Sequence, residues 1–199
     1  MSEKYIDEMV LELRIKHRQL LCKYDLEQDD IYIGHRLIHF NKQTLAQLFK
    51  MTVPDQFQPL SEADIRKRFT SERKPQIVLA DGQHDAVLTF SAFASEKDLS
   101  DEIDQLKEAL EKLFPANVFY ERGIAQSASG AVHWCEYKSF SADGASYNLQ
   151  FLFVLPSEQR VLGKFECDFP EYDSWRPCVL KMIETISPIE GDNHARNEH

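Results

Sequence analysis

The sequence lacks the long apolar run that a membrane-spanning helix needs. No stretch approaches ~20 uncharged apolar residues, and the N-terminus has no basic segment followed by an apolar one. Neither a membrane span nor a secretory signal is therefore visible. The default expectation is a cytoplasmic protein.

Basic residues are too few for a general contact with anions. The chain carries 23 lysines and arginines against 33 aspartates and glutamates, which gives a formal net charge of −10. Such a balance repels nucleic acid and anionic membrane surfaces. We therefore predict no nucleic-acid partner, with a local basic patch as the one exception that the overall charge allows.

Signature motifs of catalysis, metal binding and nucleotide binding are absent as well. There is no GxxxxGK[ST] or GxGxxG loop and no HExxH or GxSxG, so phosphate-loop, zinc-protease and serine-hydrolase functions lose their support. We predict no cofactor, no metal and no catalytic residue. The few cysteines are widely spaced without a CxxC, which favours reduced, buried thiols over a disulfide framework. They are Cys22, Cys135, Cys167 and Cys178.

What the sequence does contain is a clean strand pattern over residues 131–169. Apolar residues occupy alternate positions from Tyr147 to Leu155 and again from Val161 to Phe169, the period of a strand with one buried face. Turn residues separate the runs, so we predict an antiparallel meander whose aromatic face is core. The opposite, polar face around Lys164 and Glu166 is one candidate functional surface.

The rest of the chain predicts an α+β fold, a mainly antiparallel sheet covered by helices. Strands that follow one another without crossover helices favour antiparallel pairing. The predicted order is helix, two strands, short helix, two strands, long helix, four strands, helix. The elements before the meander are strands Ile31 to Phe40 and Leu45 to Val53 with a turn at Asn41 to Thr44, a helix from Ser61 to Phe69, strands Gln76 to Ala80 and Ala86 to Phe93, a helix capped by Asp98 or Ser100 and ended by Pro115, and strand Val118 to Gln126; the closing helix runs from Ser174 to Ile186.

Three regions are predicted along the chain. Residues 1–28 carry an amphipathic helix, residues 29–187 form a single α+β domain, and residues 188–199 are a polar, disordered tail. The apolar surface of the N-terminal helix is wider than one stripe. This helix therefore either packs on the domain or contacts a partner, including a second copy in a homodimer.

Two arrangements of histidine are candidate chemical sites. His133 and Cys135 lie two apart on a predicted strand, hence on one face, where an imidazole can activate a thiol. No orienting residue or oxyanion-forming turn accompanies them, so a buried strand is the preferred interpretation and a small enzyme the alternative. His35 and His39 fall roughly 13 Å apart in a strand, too far to share one ion.

The strongest functional signal is a local cluster of cations. Arg66, Lys67, Arg68, Arg73 and Lys74 fall within nine residues of an otherwise acidic chain. Exposed, solvated side chains explain most such clusters. Guanidinium and ammonium groups also bind carboxylates and phosphates, so this segment is the predicted contact for an anion or an acidic partner surface.

The element order, with a long helix before a terminal meander and a closing helix, resembles the Mog1/PsbP-like fold, including DcrB-type bacterial domains. The resemblance covers about residues 31–186. Locally, the segment RFTSERKPQI at residues 68–77 resembles a "YPSExRPQII" segment of an uncharacterised bacterial protein family of this kind, with Thr70 in place of the usual proline. The resemblance implies an α/β/α sandwich that acts as a binding module, as members of the fold do with a small GTPase, a photosystem or membrane segments of secreted effectors.

These observations together favour a non-catalytic protein-interaction or adaptor module, chaperone-like in character, with a protein partner. Two alternatives stay open. One is a small cytoplasmic enzyme that uses His133 and Cys135, and the other is a homo-oligomeric structural protein.

Overall fold

The computed structural model describes residues 25–28, 31–33, 36–69, 74–82, 85–142 and 144–189. In these ranges the chain forms a seven-stranded sheet, a three-stranded sheet, a two-stranded hairpin and three α-helices. The strands are β1 (Ile31–Ile33), β2 (Arg36–Ile38), β3 (Phe40–Leu45), β4 (Phe49–Pro54), β5 (Gln58–Pro59), β6 (Ile77–Ala80), β7 (Ala86–Phe93), β8 (Val118–Ser127), β9 (Gly130–Ser141), β10 (Gly144–Val154), β11 (Arg160–Asp168) and β12 (Ser187–Pro188). The α-helices are α1 (Glu62–Arg68), α2 (Leu99–Leu113) and α3 (Tyr172–Glu184), the last preceded by a 3-10 turn at Phe169–Glu171.

The seven-stranded sheet has the strand order β5-β6-β7-β11-β10-β9-β8. Every strand pairing in the described residues is antiparallel. The predicted meander is confirmed, since β8, β9, β10 and β11 pair in sequence order. Helix α2 carries the chain from β7, which lies next to β11, to β8 at the far edge.

One face of the sheet holds the main core. Tyr147, Phe151, Phe153 and Phe165 are fully buried there, and Trp175 of α3 packs against the ring of Phe165 at 5.1 Å between centroids. Each such side chain contributes roughly 1.5–3 kcal/mol on burial. The three-stranded sheet β12-β4-β3 covers the rest of this face.

The opposite face carries two smaller apolar clusters, one under each remaining helix. Val78, Ala80 and Val87 lie beneath α1, while Cys135 and Leu152 lie beneath α2. Helices therefore cover both faces of the sheet, which confirms the predicted mainly antiparallel, helix-covered α+β fold. The double coverage also explains why the alternation in β10 stops at Leu152.

A glycine lets one aromatic ring of the core lie flat on the sheet. Gly163 of β11 pairs directly with Phe151 of β10, and a Cβ placed on Gly163 would come within 2.2 Å of the Phe151 ring. No other residue type leaves room for the ring at this position. The alternating pattern of β11 predicted Gly163 on the buried face but not this contact.

Two predictions near the N-terminus, one of a strand and one of a turn, are wrong. The single strand expected over Ile31 to Phe40 is the hairpin β1-β2, in which Ile31 pairs with Ile38. The buried positions change phase here, from odd residues (31 and 33) to even ones (38 and 40). An uninterrupted strand cannot bury both sets on one face.

The turn expected at Asn41 to Thr44 is also wrong, because those residues belong to β3. The chain reverses at Ala46 and Gln47, which have positive φ angles of 46° and 57°, and the Leu48 N–H donates to the Leu45 carbonyl at 2.9 Å. Two consecutive left-handed residues match the twist of a tight hairpin. Ala and Gln carry no sequence signal for that conformation.

The described chain begins inside the packed region. Leu26 is buried in the main core, and the Glu27 carboxylate accepts a hydrogen bond from the Thr52 hydroxyl at 2.8 Å. The N-terminal helix predicted for residues 1–28 otherwise lies outside the described residues. So does the predicted tail at 188–199, except that Pro188 ends β12 opposite Phe49 and Ile189 follows it. Among the helices of the described residues, none combines the length and apolarity that crossing a membrane requires.

Candidate interaction surface

Helix α1 carries three of the five predicted cations, Arg66, Lys67 and Arg68. Its N-terminus is capped by Ser61, whose hydroxyl accepts from the Asp64 N–H at 3.2 Å, as the sequence predicted. The helix has only seven residues and none of them is buried. Its attachment to the sheet rests on partial packing by Ile65 and Phe69, so most of its surface is open to a partner.

Arg66 and Lys67 are far more accessible than Arg68, the third cation of this helix, whose side chain is 31% exposed. Their side chains are 70% and 79% exposed. Among the described residues, each pairs only with a carboxylate of the same helix, Arg66 with Glu62 at 3.1 Å and Lys67 with Asp64 at 3.5 Å. Exposed pairs of this kind are worth at most about 1 kcal/mol. A partner carboxylate can therefore replace them at little cost.

Arg68 has a different position, turned toward the sheet. Its guanidinium contacts the Glu166 carboxylate of β11 at 3.3 Å, and Lys164 contacts the same carboxylate at 2.7 Å. Burial alone would raise the pKa of Glu166, but Lys164 and then Arg68 outweigh it and the pKa is lowered. Glu166 thus stays ionised and anchors the end of α1.

The remaining two predicted cations, Arg73 and Lys74, are neighbours in the sequence shortly before β6. Lys74 is exposed, and Arg73 lies outside the described residues. The structure therefore brings together Arg66, Lys67 and Arg68 on one short helix. It also joins the two candidate surfaces of the sequence, because Arg68 of the basic segment contacts Glu166 on the polar face of β11.

A cleft of about 430 Å³ opens beside Arg68. Its charged lining is Arg68 together with the carboxylates of Asp85, Glu166 and Asp168. Carboxylates outnumber the single guanidinium, so the cleft does not suit a phosphate. The outer side of α1, with the exposed Arg66 and Lys67, is a more favourable surface for an anionic partner than this cleft.

The His133 and Cys135 pair is not arranged for thiol chemistry. Both side chains lie on the α2 side of β9, as predicted, since their partners in β10 are Leu152 and Gln150. Cys135 is only 2% exposed and packs with Ile103 and Leu152. Burial raises the pKa of its thiol to about 12. Among the described residues, no group of His, Cys, Asp and Glu side chains could hold a metal ion.

An ionic network that the sequence did not reveal lies on the other face. Glu136 is 1% exposed and accepts from the Arg176 guanidinium at 2.9 Å and from the Tyr147 hydroxyl at 2.7 Å. Arg176 also reaches Glu121 of β8 at 2.7 Å. Burial, and then the charge of Glu136, raise the pKa of Tyr147 well above its ordinary value. The network joins α3 to β8 and β9, and its burial makes it structural.

The sequence did contain one signal for this network. Glu136 falls in phase with Val132 and Trp134 on the core face of β9. A carboxylate at such a position requires a buried partner. The partner is Arg176, which lies 40 residues further along the chain, so no local pattern identifies it.

The fold has a counterpart among solved structures. The solution structure of cyanobacterial PsbP from Synechocystis sp. PCC 6803 matches with a TM-score of 0.57 over 78% of this chain and 95% of that chain, at 9% sequence identity. The fold is PsbP-like. This confirms the Mog1/PsbP-like resemblance at the level of the fold alone, because identity so low carries no function.

Two further solved structures align with lower TM-scores. LpqN of Mycobacterium tuberculosis, a protein involved in cell envelope biogenesis, aligns over 79% of this chain and 95% of its own, with a TM-score of 0.48 and 15% identity. A protein of Pseudomonas aeruginosa aligns over 75% of this chain and 97% of its own, with a TM-score of 0.46 and 12% identity. No family model and no curated protein matches the sequence.

Proposed function

We propose that the protein is a non-catalytic interaction or adaptor module that binds an acidic surface of a protein partner. The contact is the basic surface, defined as Arg66, Lys67 and Lys74. The observation that carries the proposal is the exposure of Arg66 and Lys67 on a helix with no buried residue. Their only described partners are weak, exchangeable pairs within that helix.

A protein surface fits this site better than a small anion. A bound phosphate needs several donors that converge and exclude water, whereas these cations are exposed and separately paired. Exposed charges on a rim chiefly accelerate association and set its salt dependence. A folded partner supplies several carboxylates at once and covers the pairs, which strengthens them. The PsbP-like fold is compatible with a chaperone-like adaptor but does not select one.

The enzyme alternative centred on His133 and Cys135 is less favoured. A nucleophilic cysteine must be at least partly accessible and ionised near neutral pH. Cys135 is buried beneath α2, and its thiol pKa is raised to about 12. The rate at which Cys135 is alkylated in the native protein separates the two functions.

Charge reversal tests the proposed function. The tagged protein is purified from its native host in three forms: wild type, the double variant Arg66→Glu with Lys67→Glu, and the control Lys97→Glu with Lys112→Glu. The control makes the same change in net charge at exposed lysines near and on α2. We expect the wild type and the control to recover the same stoichiometric partner at low salt and the test variant to lose it.

Two outcomes contradict the proposal. One is a monomeric wild-type protein that recovers no stoichiometric partner under any ionic strength. The other is a partner that the test variant and the control retain equally well. Circular dichroism of each variant establishes that the fold is unchanged, since neither substitution touches a buried side chain.

A further inference from the structure

The seven-stranded sheet ends in two unlike edges. At one end, β5 has only two residues and one of them is Pro59, which lacks an N–H group. At the other end, β8 runs for ten residues from Val118 to Ser127, and no strand of the described residues pairs with its outer side. An edge of this length presents a row of unpaired N–H and C=O groups.

The exposed apolar side chains of the described residues concentrate at this open edge. Val118, Tyr120 and Ile124 of β8 are 45%, 44% and 58% exposed. Leu113 and Phe114, at the end of α2, are 71% and 56% exposed. Apolar side chains on an unpaired strand are unusual unless something covers them, because edges are commonly protected by charge or proline.

A β-bulge limits the part of β8 that is available. Phe119 pairs with Tyr137 and Arg122 with Cys135, so Tyr120 and Glu121 both stand opposite Glu136. The extra residue turns both side chains toward α3, where Tyr120 contacts the ring of Tyr172 and Glu121 contacts Arg176. The regular, open segment is therefore 122–127.

Carboxylates flank this open segment on both faces of the sheet. On the α2 side Asp104 contacts Arg122, and residues 96–112 carry seven carboxylates against three lysines. On the α3 side Glu121 is 65% exposed. Side chains of an added strand alternate between these two faces. A cationic side chain on that strand therefore meets a carboxylate on either face, Glu121 on the α3 side and, on the α2 side, Asp104, which it shares with Arg122.

The geometry points to strand addition at β8 by an extended, basic segment of a partner protein. Main-chain hydrogen bonds to 122–127 supply the affinity, Ile124 packs against an apolar side chain, and lysine or arginine side chains face the carboxylates. A second copy of this chain is disfavoured, since it brings a net charge of −10 to a surface already acidic. The site is distinct from the basic surface and does not rest on the function proposed there.

A synthetic peptide tests this inference without knowledge of the partner. The probe is acetyl-(Lys-Val)5-amide, and the control peptide acetyl-(Lys-Pro)5-amide has equal charge but lacks half of the N–H groups that a strand needs. Titration at low salt gives the affinity, and amide hydrogen exchange gives the location. We expect the Lys-Val peptide to bind, to protect amides of residues 122–127, and to bind more tightly than the Lys-Pro peptide.

Substitutions at Ile124 identify the occupant. Ile124→Lys places a positive charge on the edge and should weaken peptide binding by about tenfold or more, whereas Ile124→Glu should retain or strengthen it. Tyr32→Lys, at an exposed side chain of β1, is the matched control and should bind like the wild type. Because both side chains, Ile124 and Tyr32, are exposed, folding should be unaffected.

Three results overturn the inference. The first is the absence of Lys-Val binding, or equal binding of the two peptides. The second is protection outside β8, or binding that Ile124→Lys leaves unchanged. The third is a wild-type dimer with protected β8 amides before any peptide is added, whose mass falls to that of a monomer with both Ile124→Lys and Ile124→Glu, since the edge would then belong to a second copy.

Discussion

Cys135 lies in an environment that suppresses thiol chemistry. The side chain is 2% exposed beneath α2, among Ile103 and Leu152. Because burial raises its pKa to about 12, the thiol stays protonated at neutral pH and is a poor nucleophile. His133, two residues away, is only partly buried and does not alter this.

The rate of alkylation by iodoacetamide measures the reactivity of the Cys135 thiol directly. In the native protein at pH 7.5, we expect iodoacetamide to modify Cys135 far more slowly than in the same protein unfolded in urea, because both burial and the raised pKa of the thiol oppose attack. Peptide mapping by mass spectrometry reports each cysteine separately. A native rate equal to that of a free cysteine would restore the enzyme interpretation.

Glu136 and Arg176 form the most buried ion pair of the described residues. The Glu136→Gln substitution keeps the size of the side chain but removes its charge, and leaves the Arg176 guanidinium, 11% exposed, with Glu121 alone. We expect the free energy of unfolding to fall by about 3–5 kcal/mol, the cost of leaving a buried charge without its partner. Urea denaturation followed by tryptophan fluorescence measures it.

The matched control is Glu111→Gln on α2. Glu111 pairs with Lys107 at 2.9 Å, but both side chains are at least one-third exposed. The free energy of unfolding should change by less than about 1 kcal/mol. Equal losses for the two variants would refute a special role of burial at Glu136.

At the scale of elements, the start of α2 is fixed by one side chain. The sequence left Asp98 and Ser100 as alternative caps. The structure selects Asp98, whose carboxylate accepts from the Ser100 N–H at 2.7 Å. We expect Asp98→Ala to lower the free energy of unfolding by about 1 kcal/mol and Ser100→Ala to have a smaller effect. Thermal denaturation of both variants checks this order.

The attachment of α1 to the sheet should depend on pH through Glu166. The pKa of Glu166 is lowered in the folded state. The stability that Glu166 contributes is therefore fully present at pH values above its ordinary pKa of 4.5. It is lost as the pH falls through the lowered pKa. Glu166→Gln should therefore be less stable than the wild type at pH 7, with the difference shrinking as the pH falls below 4.5. Denaturant titrations over that pH range measure it, with Glu62→Gln on the exposed face of α1 as control. A difference independent of pH would contradict this role.

Elements with strong local signals could be predicted, and elements without them could not. Ser61 and Asp98 caps located α1 and α2, and the alternation of β10 and β11 located the meander. The Ala46–Gln47 turn carries no glycine or asparagine, so its left-handed backbone was invisible. Helix α3 begins at Tyr172 rather than at the predicted Ser174, so Pro177 lies beyond its first turn. The helix tolerates this proline because the packing of Trp175 and Val179 outweighs the one backbone hydrogen bond that is lost.

At the scale of the molecule, sequence reasoning located side chains but not their partners. Arg66, Lys67 and Lys74 could be identified as a basic segment from composition alone. The contact between Arg68 and Glu166 spans 98 residues and depends on how α1 lies across β11. Strand order decides such contacts, and no local pattern encodes the position of β8 at the outer edge.

Self-association through the N-terminal helix stays a prediction, and the structure refines its test. A deletion of residues 1–28 would remove Leu26 and Glu27, which belong to the packed region, so the deletion should remove 1–24. If the helix mediates a homodimer, the mass in solution by light scattering should fall by about half relative to the full-length protein. An unchanged mass per particle would remove this role.

The unequal edges of the seven-stranded sheet also fix the stoichiometry of anything built on it. Continuous growth by strand addition needs a donor edge and an acceptor edge on each subunit, as filaments do. Here β5 is too short and is interrupted by Pro59, so a segment added at β8 finds no second docking point across the sheet. Within the described residues this sheet can therefore be lengthened at β8 but not at β5, and we expect complexes at this edge to hold one added segment per chain.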